Sequence, residues 1–153
     1  MSIFPTTILL ATDGSEEARR ATQAAAELSK DTGSEVHVTY VLPSPTALRG
    51  HHTYSREVMR SVLEQAEEEA RSFLEEQSKQ VGAYGGKVAE THLKAGEPDK
   101  EIVKLSEELG VGTIVIGSRG LGAVRRALMG GVSESVIRHA HCPVFVVRGD
   151  EAS

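Results

Sequence analysis

Short apolar runs alternate with amphipathic stretches along this chain, and the alternation predicts strands and helices in strict succession. Ile8, Leu9, Leu10 and Ala11 form an unbroken apolar run that stops at Thr12-Asp13-Gly14-Ser15, the pattern of a buried strand meeting a turn. Ala18, Ala21, Ala25 and Leu28 then recur at helical spacing, with Ser15 placed to cap the helix, Glu16 and Glu17 at its positive end and Asp31-Thr32-Gly33 closing it. Val36 to Leu42 is rich in β-branched residues and stops at Pro43, predicting a second strand followed by a polar loop over 44–53. From about Ser55 to Val81, Met59, Val62, Leu63, Ala66, Ala70, Phe73, Leu74 and Val81 trace one helical face opposite a dense Glu face.

Gly82 to Gly86 breaks that helix, and Val88 to Leu93 reads as a strand whose polar content places it at a sheet edge. Gly96-Glu97-Pro98 starts a helix carrying Ile102, Leu105 and Leu109, and Thr113 to Ile116 is another apolar strand. A short helix around Val132 to Ala140 and a last strand, Val144 to Val147, complete a βαβαβαβαβ order without internal repeats. Parallel strands need crossovers, and those crossovers are right-handed. The expected fold is therefore a single α/β domain over 1–153: a doubly wound, open five-stranded parallel sheet with helices on both faces.

Composition narrows the function. A net charge of -5 with no Lys/Arg-rich run disfavours nucleic acid as a partner. Cys142 is the single cysteine, which rules out an internal disulfide and a four-cysteine zinc site and suits a reducing cytoplasm. No stretch approaches the roughly 18 apolar residues of a membrane span, so a soluble protein without membrane contact is expected.

Ligands of such sheets bind beyond the carboxyl ends of strands, where the strand order reverses. Three segments end there: Asp13-Gly14, Val41-Leu42 and Gly117-Ser118-Arg119-Gly120. The last continues as Leu121-Gly122, passes Arg125 and Arg126, and reaches Gly130-Gly131-Val132-Ser133 at the start of the final helix. Glycines let consecutive amides approach an anion, and a helix start adds unsatisfied N–H groups and a positive dipole end. The two glycine clusters are thus candidates for a phosphate cradle, although each also fits an ordinary turn. Neither a Walker A loop nor the tight Gly-x-Gly-x-x-Gly of a dinucleotide fold is present.

At these residues the chain resembles the universal stress protein family, whose ATP-binding members carry Gly-x-x-Gly, nine intervening residues, then Gly followed by Ser or Thr. Gly117, Gly120 and Gly130 match that spacing, and Gly131 stands where the pattern has a hydroxyl. The opening Ile8 to Ser15, the Gly96-Glu97-Pro98 turn and the closing His139-Ala-His-Cys142-Pro143 also look like family segments. The resemblance implies a Rossmann-like sandwich of the adenine nucleotide α-hydrolase type. It implies that Thr12 and Asp13 sit against the adenosine end and that Val41 contacts adenine through its backbone. Ile116, Gly117, Ser118, Arg119, Gly120, Leu121 and Gly122, with Gly130, Gly131, Val132 and Ser133, would wrap ribose and phosphates. ATP would be the ligand, Mg2+ would be held through its phosphates, and a homodimer would form through Val144 to Val147.

Each residue has a plainer role open to it: Asp13 an Asx-type turn, Val41 a core position, Arg119, Arg125 and Arg126 solvated charges. His51-His52 could bind a metal only with partners that the sequence does not supply nearby. The segments converging on the crevice offer Asp13, Ser15 and Arg119 with no histidine beside them, so the expectation is a binding module with at most slow hydrolysis rather than a dedicated enzyme. A family member that binds no ATP and acts through protein contacts alone is the alternative. A phosphoaccepting receiver domain is excluded because Lys94-Ala95-Gly96, with no aspartate, follows the third strand and no lysine ends the fifth.

Overall fold

A computed structural model describes residues 2–13, 15–42, 55–118 and 131–148. Five strands alternate with four helices: β1 (Thr7–Ala11), α1 (Glu16–Thr32), β2 (Glu35–Leu42), α2 (Arg56–Ala83), β3 (Lys87–Ala95), α3 (Pro98–Leu109), β4 (Thr113–Gly117), α4 (Gly131–His139) and β5 (Val144–Val147). All strand pairs are parallel, in the order β3-β2-β1-β4-β5. The chain winds outward from β1 to β3, then crosses back to β4 and β5, so the order reverses between β1 and β4.

The central strands are apolar on both faces because both faces are covered, as parallel sheets require. Ile8, Leu10, Val36, Val38 and Val115 pack under α1 and α2, against Ala21, Ala25, Ala26, Leu74 and Val81. Leu9, Ala11, Val41, Ile114 and Ile116 pack on the opposite face under α3 and α4, against Ile102, Leu105 and Val136. The alanines of α1 bring its backbone close to the sheet. Between the helical layer and the sheet, the Thr22 hydroxyl of α1 donates to Gln77 Oε1 of α2 at 2.8 Å.

Helix boundaries follow the expected chemistry. Ser15 caps α1 by accepting from the Ala18 N–H at 3.1 Å, and Gly33 ends it with φ 73°, a left-handed conformation that a side chain would oppose. The polar third strand does lie at an edge, and β5 forms the other edge.

The apolar face of α2 is covered unevenly. The apolar face predicted over Met59 to Val81 is buried only in its second half, at Ala70, Leu74 and Val81, whereas Val62 is 44% exposed. Length explains this: a helix of 28 residues spans about 42 Å, while the eight residues of β2 cover about 26 Å. The N-terminal turns of α2 therefore overhang the carboxyl edge of the sheet.

Candidate functional site

The carboxyl ends of β1 and β4 meet where the strand order reverses. After Ala11 the chain leaves the sheet through Thr12, whose N–H still donates to the Thr39 carbonyl at 3.1 Å. Thr12 is 1% exposed, yet its Oγ1 has no hydrogen-bond partner among the described residues. A buried hydroxyl left unpaired costs about 1–3 kcal/mol, and the uncommitted group stands at the end of a central strand. Asp13 follows and forms the Asx turn its sequence allows, accepting the Ser15 N–H on Oδ1 at 2.9 Å. That bond also sets the Ser15 hydroxyl to cap α1.

Across the crevice, Ile116 and Gly117 end β4, both buried, and the Ser118 N–H donates to the Val147 carbonyl at 2.9 Å. The Ser133 hydroxyl donates to the Ser118 carbonyl at 3.3 Å, tying the first turn of α4 to the end of β4. Gly131, Val132 and Ser133 thus occupy a helix start beside the strand end, where the first amides of a helix lack intrahelical acceptors. Gly131 is exposed, and a Cβ built on it would meet nothing within 4 Å among the described residues.

Val41 lies in β2 with its side chain in the core, 6% exposed. Beside it, beneath the overhang of α2, is a cavity of about 460 Å³ lined by Asp13, Tyr40, Leu42, Leu63, Ala66, Glu69, Ala70 and Phe73. Burial raises the Tyr40 phenol above its usual range, and the charges of Asp13 and Glu69 add to the effect. This cavity escaped the sequence reading because its walls come from three segments apart in sequence: the end of β1, the end of β2 and the middle of α2. Arg119, Gly120, Leu121, Gly122 and Gly130, like Arg125, Arg126 and His51-His52, lie outside the described residues.

Away from the crevice, the structure brings together His37, Glu90 and His92, which nothing in the sequence pattern singled out. Burial, then the neighbouring His37, lowers the His92 imidazole below its ordinary range. The Cys142 thiol is half-buried and raised by desolvation, so it is a poor nucleophile near neutral pH.

Fold and crevice define a doubly wound α/β domain with a strand end and a helix start joined at the topological switch point. The model of the universal stress protein family matches residues 5–148, and this chain belongs to that family. It is 39% identical over 150 residues to a putative universal stress protein of Staphylococcus haemolyticus, covering 94% of this chain and 85% of the relative. Among solved structures it is similar to hypothetical protein MJ0577, with a TM-score of 0.81 and 29% identity over 95% of this chain and 97% of that one. It is also similar to a universal stress protein from Archaeoglobus fulgidus in complex with dAMP, with a TM-score of 0.64, 27% identity, and 95% and 99% of the two chains covered. No helix among the described residues is long and apolar enough to cross a membrane.

Proposed function

We propose that this universal stress protein is an adenine-nucleotide binding module, with ATP as its ligand, whose nucleotide state is read by protein partners in a cytoplasmic stress response. The observation that carries the reading is the Ser133–Ser118 hydrogen bond of 3.3 Å, which sets the start of α4 against the end of β4. The bond holds Gly117 and Gly131 at the same end of the sheet, which supports an anion cradle between them. The Thr12 hydroxyl, buried without a partner among the described residues, supports the reading, because a ligand group at the end of β1 would satisfy it. Thr12, Asp13 and Val41 would hold the adenosine end. Gly117 and Ser118 with Gly131 to Ser133, together with Arg119, Gly120, Leu121, Gly122 and Gly130, would hold ribose and phosphates. Mg2+ bound through those phosphates would screen their charge.

Hydrolysis would be slow at most. Asp13, the acidic group at the crevice, already accepts a hydrogen bond from the Ser15 amide, a structural duty that competes with service as a base. Homodimerisation would proceed through β5, an edge strand that leaves Phe145 49% exposed.

The glycine at 131 favours a second reading, in which the domain binds no ATP and works through protein contacts alone. Mass spectrometry of small molecules released from the purified, heat-denatured protein separates the two. The proposed function predicts near-stoichiometric adenine nucleotide or its full uptake on adding Mg-ATP. No nucleotide under either condition would leave the second reading standing.

A further inference from the structure

The third strand carries a feature unrelated to the crevice. β2 and β3 pair Val36 with Val88 but His37 with Glu90, so one extra residue, Ala89, is accommodated in β3. A one-residue shift moves every following side chain to the other face of the sheet. Without it, Glu90 and His92 would face α2 with Val36 and Val38. With it, they share the α3 face of the sheet with His37.

On that face His37 Nδ1 and His92 Nε2 are 2.9 Å apart, and Glu90 Oε1 lies 4.0 Å from the first and 3.9 Å from the second. The two rings stack with centroids 5.2 Å apart at 21°. Their side chains are only 15% and 14% exposed, while Glu90 is 65% exposed and free to swing inward. Two nitrogens and one carboxylate oxygen converge within 4.8 Å of one another.

We infer that His37, His92 and Glu90 form a three-ligand site for a divalent transition-metal ion of the Zn2+ class, clipping the edge strand β3 to β2. Zinc takes imidazole nitrogen at about 2.0–2.1 Å in tetrahedral geometry, which separates neighbouring ligand atoms by about 3.3 Å. The histidine nitrogens need to part by only a few tenths of an ångström, and the Glu90 oxygen needs to close by roughly twice that. Water would supply the fourth ligand. Imidazole donors select Zn2+, Ni2+ or Cu2+ over the hard, oxygen-seeking Mg2+. Lys94, on the same face two residues beyond His92, opposes a cation and so limits the affinity, while Glu90 supplies the compensating charge. The site is separate from the crevice, since His37 lies four residues, or about 13 Å, along β2 from Val41.

Titration of the apo protein with Zn2+, followed by calorimetry and by hydrogen exchange, tests this. One equivalent should bind, and amides of Lys87–Ala95 should exchange more slowly in its presence, whereas Mg2+ should do neither. His92→Gln should weaken binding by about a hundredfold, the share of one ligand in a site of this type. Glu90→Gln, at an exposed position that leaves the fold intact, should weaken it by about tenfold. A double His139→Gln, His141→Gln variant and a double His51→Gln, His52→Gln variant should bind as the parent does. Absence of stoichiometric binding, or binding kept in both His92→Gln and Glu90→Gln, would overturn the assignment and leave a hydrogen-bonded histidine pair.

Discussion

At the scale of single residues, Thr12 and Gly131 make the sharpest tests. The Thr12 hydroxyl is buried and has no partner among the described residues, so Thr12→Val, which keeps the shape and removes the polar atom, should stabilise the ligand-free protein by about 1 kcal/mol, or roughly 2–4 °C in a thermal melt. The same change should weaken nucleotide binding. A melt at lower temperature would mean that the hydroxyl is already satisfied. Gly131→Ser meets no described residue within 4 Å at the helix start and restores the hydroxyl of the family pattern. It should tighten ATP binding by about tenfold, the worth of a hydrogen bond to a charged group, without changing the ligand-free melt. Titration calorimetry reads the first effect, and an unchanged dissociation constant would show that position 131 does not meet phosphate. Turn chemistry at this scale was legible in advance, since Asp13-Gly14-Ser15 announces an Asx turn and a cap, and both form. The unpaired state of Thr12 was not legible, because it depends on what the neighbouring strands fail to offer.

Among the elements, the central strands were readable from their unbroken apolar runs, and the edge position of β3 from its polar residues, because burial on both faces leaves no room for alternation. Two features escaped. The overhang of α2 arises from a mismatch between helix and strand lengths, which periodicity does not record. The shift at Val36/His37 creates the His37–His92 pair, and a bulge of one residue leaves no mark in the alternation of so polar a strand. The edge β5 carries its own prediction. Phe145 is 49% exposed on a short parallel strand at the edge of the sheet as described. The proposed dimerisation through this edge predicts a dimer for the parent and a monomer for Phe145→Asp in light scattering after size-exclusion chromatography, with the circular dichroism of the fold preserved. A dimer that survives would place the interface elsewhere.

For the whole molecule, the doubly wound order puts the reversal between β1 and β4, and a ligand crevice at such a point follows from topology before any side chain is considered. What the residues add is the tie between Ser118 and Ser133, which holds the start of α4 against the end of β4. A ligand bound there spans separate segments of the chain and should stabilise the whole fold rather than one loop. At about a hundred times its dissociation constant, Mg-ATP should add about 2.7 kcal/mol, which for a domain of this size is about 5–10 °C. Thermal denaturation with and without millimolar Mg-ATP is the most direct measurement. The account predicts that upward shift, enlarged in Gly131→Ser and reduced in Thr12→Val; identical melting temperatures with and without nucleotide in all three proteins would contradict it.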